Sequence, residues 1–436
     1  MLDIDFVEAA RTEERCGPLR PGVEVAVVEG RGRLRGTARG GRLHGRDSKG
    51  GPAGRQYVEL DAEGGAGLVD QTPRVPRWSG RPGVALLPSE LPVYRAVVAD
   101  FERGSGLRVV VVPQQYADIR RALAAESVAG TGTLDLVELD VYALASAAPH
   151  VCPFAPADVE PELDALSPDA VRAGTIDGLR FLPHRLGWQA VVYDHAALGR
   201  PPEDWPELLA VARAHPGKVA FKGSLYEGLT CDVLPFVWAA GGSGEVLDDA
   251  GALAAFRFFA ELAPYLHPGS ATFKEPTVAE AMARGEIVLH LNWPFVMSLY
   301  ASQGLAPEPI RSAPLPHGPH GRATVLGGGY LGIPCNAPHR AAALRLVHHL
   351  LARDVQTELA RRLGWFSPRR DVAVADGGEA LAGFAAMRSE VRPRPARADY
   401  RALSRRWQEA FRAVVFEHRD PDAVLHAAAS EAVKSR

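Results

Sequence analysis

The sequence predicts an α/β protein made of doubly wound sheets, with enough chain for more than one such unit. Two observations carry that expectation. From Gly83 to Asp140, short apolar runs alternate with helical stretches in β-α-β-α-β order, the pattern of a parallel sheet with right-handed crossovers. With 436 residues, 47% hydrophobic and 23% charged, the chain can fill two or three cores and has a globular composition.

The first 82 residues differ from the rest. GRGRLRGTARGGRLHGRDSKGGPAGR is rich in Gly and Arg, and only VEVAVVEG and QYVELDAEG look like strands. The stretch lacks the interleaved aromatics that base stacking uses, so 1–82 reads as an atypical or poorly ordered extension rather than an RNA-binding arm. MLDIDFVEAARTEERC has no apolar h-region and does not read as a signal peptide.

Order begins at Gly83. VALLP suits a short buried strand; VYRAVVADFERGSG follows with helical spacing and a Gly stop. LRVVVVP, YADIRRALAAESVAG and LDLVELD then supply a strand, a helix and a strand, and ligands bind at the C-terminal ends of such strands. From Leu182, LPHRLGWQAVVYDHAAL turns a corner and resumes as a strand, and PPEDWPELLAVARAH is helical, with Trp205 as a packing residue at its start. AEAMARGEIVLHLNWPFV is a helix ending at Gly285, a strand, and an aromatic before a Pro stop. LGGGYLGIP is a glycine-hinged strand leading into two helices and the stretch GWFSPRRD.

Several kinds of chemistry are absent. The net charge of −3 gives no reason to propose nucleic acid or an anionic membrane as partner. No apolar window approaches the roughly 20 residues of a membrane span. Cys16, Cys152, Cys231 and Cys335 show no CxxC or Cys/His ligand spacing; buried free thiols are expected, and any disulfide among them cannot be paired. No GxxxxGK[ST], GxSxG or HExxH occurs. His348 and His349 are helix neighbours that point about 100° apart and cannot share a metal. Asp248 and Asp249 read as a helix cap. Catalytic residues, a metal and a cofactor are therefore not expected.

LGGGYLGIP with its following helices, the Pro202–Asp204–Trp205–Glu207–Leu208 pattern, and the Ala283–Gly285–Trp293 segment resemble the extracellular solute-binding proteins of ABC importers, in the carbohydrate-binding, maltose-binding-protein-like group. The resemblance spans about 83–433. It implies a two-lobed periplasmic-binding-protein fold with doubly wound sheets in each lobe and three crossings, near 184–188, 311–316 and 363–368. Lobe one would comprise 83–183 and 317–362, and lobe two 189–310 and 369–436. The implied function is binding a sugar or oligosaccharide by hinge closure, as a monomer, for ABC permease subunits. The alternatives are a receptor for a non-sugar solute, or a cytoplasmic sensor or enzyme on the same fold. The location expected from the family is periplasmic or cell-surface; with no signal peptide read in the N-terminus, the cytoplasm is the alternative.

A sugar site needs flat aromatic platforms with carboxylates, amides or guanidinium groups around them. Trp293 and Tyr330 sit where the resemblance implies ligand-stacking aromatics, with Gly328 letting the backbone approach. Trp365 and Arg369 occupy the last crossing, and Arg185 and Trp188 the first. Asp140 closes its strand and either accepts sugar hydroxyls or caps the next helix, while Glu138 sits deeper on the same face. Tyr226 precedes an apolar helix; Glu90 and Gln115-Tyr116 follow the first and second strands.

Overall fold

The computed structural model describes residues 25–29, 33–37, 56–59, 79–80, 82–84, 86, 90–113, 116–302, 309–372, 378–397 and 399–434. The chain divides into two units, Met1–Arg74 and Val75–Arg436. In the first, Val25–Glu29 pairs antiparallel with both Arg33–Thr37 and Gln56–Glu59. The outer two of these segments in sequence are the strands expected from their apolar runs. Arg33–Thr37 lies inside the Gly/Arg-rich stretch, where alternation is too weak to be read. Most of the remaining extension, Cys16 included, falls outside the described residues.

Two lobes make up the second unit. The first contains a sheet ordered Val112–Pro113, Pro82–Val84, Leu136–Asp140, Gly327–Gly332, Leu182–Gly187. Its first three strands are parallel, as the alternation predicts, and the last two join antiparallel. Helices Leu91–Ser105, Arg340–Leu351 and Arg353–Leu363 supply apolar faces to its core, through Val97, Phe101, Leu346, Leu350 and Leu359. Gly106 stops the first of these helices at φ +68°, where a side chain would be strained, and its N–H closes the last turn on Glu102 O at 2.9 Å.

The second lobe has a sheet ordered Val219–Ala220, Leu289–Asn292, Ala190–Asp194, Ile310–Ala313. Every residue of Leu289–Asn292 is buried, because helices cover both faces. Glu227–Ala239 runs through this core and buries twelve of its residues. Trp205 stacks on Phe258 at 4.6 Å, the packing role its helix-start position suggests. Asp249 caps Ala250–Leu262 by accepting from Ala252 N at 2.8 Å.

The crossings are sharply placed by the two cores. Leu182 belongs to the first core and Trp188 to the second; Trp365 and Phe366, adjacent in sequence, fall in opposite cores. The second crossing lies later than the 311–316 read from the sequence. Leu315, Ala323 and Val325 still pack in the second core, and Tyr330 and Leu331 are the next to pack in the first lobe. Strand Thr324–Val325 holds the segment there by pairing with Val391–Arg392. The three crossings lie side by side. Leu186 and Phe366 exchange backbone bonds of 2.7 and 3.3 Å, and the Thr324 hydroxyl bonds both N and O of Gln189 at 3.1 and 2.9 Å.

The expectation of free thiols is corrected: Cys152 and Cys335 form a disulfide, with Cα atoms 4.8 Å apart. Backbone bonds bracket it, from Cys152 N to Ile333 O at 3.1 Å and from Cys335 N to His150 O at 3.0 Å. No spacing rule reaches across their sequence separation of 183. Cys231 is a buried free thiol, as expected. Closing so long a loop restricts the unfolded chain, so removing the crosslink should cost about 2–5 kcal/mol. Replacing both cysteines by serine, and separately reducing the native protein, should each lower the denaturant midpoint; an unchanged midpoint in both would contradict this.

Candidate ligand-binding cleft

Between the lobes lies a cleft of about 650 Å³, within the range of small-molecule sites. The first lobe lines it with Tyr142 and Leu144, which follow strand Leu136–Asp140, and with helix Pro168–Ala173. The crossings contribute Leu186, Trp188 and Leu326, and the second lobe Val391 and the Pro393–Ala396 segment. The cleft thus opens past the C-terminal end of a strand, where the alternation predicts a ligand to bind.

Polar groups converge at one wall. Asp140 caps the short helix Val141–Ala143 through Tyr142 N at 3.2 Å and also accepts from the Arg394 guanidinium. The cap reading of Asp140 holds, and the same carboxylate is engaged by Arg394. Arg394 also donates to Glu227 at 2.9 Å, and its guanidinium lies 4.9 Å from the Tyr142 ring centre. Glu227 in turn accepts from the Tyr400 hydroxyl and from Ser404 Oγ, the latter at 2.8 Å. Burial works against the Arg394 charge, yet Asp140 and Glu227 beside it hold its proton well above the usual range. Burial, reinforced by the same two carboxylates, pushes the Tyr142 hydroxyl up to about 12.

A second polar group stands beneath the hinge. The Glu138 carboxylate is fully buried and takes two bonds from Arg185, at 3.0 and 3.1 Å, and one from His184 Nδ1 at 3.0 Å. Burial alone would raise its pKa; Arg185 and His184 outweigh that and hold it below the ordinary value. The Arg185 guanidinium also covers the Trp365 ring at 4.2 Å, and Trp365 Nε1 donates to Glu90 at 2.7 Å.

These contacts sort the residues expected to hold a ligand. Trp188 lines the cleft, although its ring also packs on Phe366 at 4.5 Å and its Nε1 bonds Phe384 O at 2.6 Å; Asp140 stands behind the lining, bonded to Arg394 and to Tyr142 N. Tyr226 precedes Glu227 directly; burial, and then nearby Glu275, raise its hydroxyl pKa. Trp293 is half-buried and lies on bare hinge backbone: a Cβ at Gly327 would meet its ring at 2.5 Å.

Six of the expected residues are engaged elsewhere. Tyr330 has no exposed surface and sits in the first-lobe core among Ile119, Leu139 and Phe181, because its strand turns that face toward a covering helix. Gly328, at φ +147°, brings its backbone close to Arg185 O (2.3 Å from a would-be Cβ) rather than to a ligand. Glu90, Arg185 and Trp365 are absorbed in the network beneath the hinge. Arg369 is spent on Asp371, through two bonds of 2.8 Å, and on Leu351 O at 3.0 Å. Tyr116 begins helix Tyr116–Ala129, but its side chain lies outside the described residues. Sequence reading missed Tyr142, Glu227, Arg394 and Tyr400. Arg394 sits in the irregular segment VRPRPAR, whose proline pattern gives no periodicity to read. Among the described residues no group of three or more His, Cys, Asp or Glu could hold a metal ion.

Two α/β lobes joined by three adjacent crossings, with a mixed aromatic and polar cleft between them, define a hinged small-molecule binding protein. The chain belongs to the bacterial extracellular solute-binding protein family, which it matches over residues 96–386. A probable ABC transporter-binding protein of Deinococcus radiodurans is 26% identical over 288 residues, covering 59% of this chain and 67% of that protein. Maltose-bound MalE3 of T. maritima is similar in structure, with a TM-score of 0.71 and 25% identity over 81% of this chain and 98% of that one. A ribitol complex of an ABC transporter solute-binding protein from Agrobacterium radiobacter has a TM-score of 0.71 at 18% identity, covering 83% and 100%. The family and these relatives are solute-binding proteins, not enzymes.

Glu138→Gln should destabilise the protein by roughly 3–5 kcal/mol near neutral pH, since it removes the carboxylate that Arg185 and His184 grip and leaves Glu90, at 3.8 Å, as the carboxylate beside Arg185. The native carboxylate has a lowered pKa, so its contribution is full above the ordinary carboxylate range near ~4 and fades as pH falls through the lowered value. Unfolding curves of both proteins should therefore differ most at pH 6–8 and converge in acid. A constant gap down to the most acidic folded condition would contradict the assignment.

Proposed function

We propose that this protein is the receptor of an ABC importer, closing its lobes on a sugar or sugar alcohol and presenting it to the permease as a monomer. The observation that carries the reading is the cleft itself. It sets the Tyr142 and Trp188 side chains beside the Arg394 guanidinium, with Asp140 bonded behind it, the combination of ring and polar group that a sugar's C–H face and hydroxyl fringe require. The structural relatives were solved with maltose and ribitol, which supports the same ligand class. Asp140, Trp188, Tyr226 and Trp293 keep a place in the proposed site, joined by Tyr142, Glu227, Arg394 and Tyr400.

The Cys152–Cys335 disulfide supports a working place in an oxidising compartment, outside the cytoplasm. No helix among the described residues is long and apolar enough to cross a membrane. Both fit a receptor that meets its solute at the cell exterior and docks transiently with permease subunits.

A thermal-shift panel of maltose, tagatose, ribitol and longer oligosaccharides tests the ligand class. The matching compound, at a hundred times its dissociation constant, should stabilise the fold by about 2.7 kcal/mol. No shift with any sugar or polyol, alongside a strong shift with another solute class, would overturn it. For the compound that binds, Tyr142→Ala should weaken calorimetric affinity by at least ~2 kcal/mol, roughly thirtyfold, through loss of an aromatic wall. Unchanged affinity would remove Tyr142 from the site.

A further inference from the structure

We propose that Arg394 is a clasp that holds the two lobes together in the ligand-free protein, and that its bond to Asp140 must break before a solute can enter. The argument starts from what each partner is fixed to. Asp140 ends a central strand of the first lobe and is committed to capping the helix that follows it. Arg394 follows strand Val391–Arg392, which pairs with Thr324–Val325 in the second lobe; Arg392 O takes a further bond from Leu326 N at 2.7 Å. Glu227 starts the helix buried through the second lobe and is held by Tyr400 and Ser404. The Arg394–Glu227 bond is thus internal to one lobe, and the Arg394–Asp140 bond is the link that crosses the cleft.

The surroundings strengthen that link. The Arg394 side chain is 2% exposed, against 19% for Asp140 and 23% for Glu227. A guanidinium so enclosed attracts its carboxylates far more strongly than an exposed pair would. Tyr142 of the first lobe covers the guanidinium, and its ring meets Tyr400 of the second at 5.9 Å, so an aromatic contact crosses the cleft at the same point. One feature opposes closure. Arg394 Nε is buried without a hydrogen-bond partner, and an unmet donor costs on the order of 1–3 kcal/mol. The closed arrangement is favoured but not locked, which is the balance that a receptor switching between two states needs.

The clasp concerns the ligand-free protein, so its test does not depend on which solute binds. Small-angle X-ray scattering of the ligand-free protein should show a larger radius of gyration for Asp140→Asn than for the native chain. Ser404→Ala, which loses only bonds within the second lobe, to Glu227, Thr230 and Gln408, should superimpose on the native curve. Arg394→Lys keeps the charge but cannot hold two carboxylates in a fork, and it should shift the same way as Asp140→Asn, which covers the case in which that variant does not fold. Scattering from the folded variants that matches the native protein would overturn the proposal. So would an equal expansion in Ser404→Ala, because the effect would then be general loosening of the second lobe.

Discussion

Glu138 carries its charge in a place with no access to water, where an unpaired carboxylate would cost several kcal/mol. It is stable there because Arg185 and His184, neighbours on the first crossing strand, both turn toward it. That requirement fixes the strand Leu182–Gly187 against the first-lobe sheet, and with it the point at which the chain leaves for the second lobe. Arg185 then covers Trp365, whose indole bonds Glu90, so the third crossing is fastened to the same charge. The hinge is rigid at its root because one buried carboxylate demands so many partners.

Above that root the lobes are held more lightly. The bonds joining crossing to crossing are backbone pairs and one threonine hydroxyl, which can pivot without losing register. The cleft wall, by contrast, is ionic and aromatic, and its groups belong to different lobes. Stiffness in the hinge and adjustable contacts in the cleft give a molecule that can rotate as two bodies rather than deform as one.

Much of the architecture was legible in the sequence because it follows from local periodicity. The alternating runs after Gly83, the cap at Asp249 and the packing role of Trp205 needed only their neighbours to be read. The site was less legible, for a physical reason. Both faces of the first-lobe sheet are covered, so a tyrosine after three glycines is apolar-compatible either way, and Tyr330 took the core face. Trp365, Glu90 and Arg185 looked like ligand groups because a buried network and a binding site use the same side chains. Arg394 meets Asp140 across 254 residues and Cys152 meets Cys335 across 183, distances over which no spacing rule operates.

Strand Gly327–Gly332 lies between Leu136–Asp140 and Leu182–Gly187 in the first-lobe sheet. During synthesis, therefore, the middle of that sheet is the last part to arrive, after nearly all of the second lobe's strands have been made. Until then the three parallel strands cannot be joined to Leu182–Gly187, and the cysteine at 152 has no partner. A nascent chain of this protein therefore stays without a finished first lobe until Gly332 has been made.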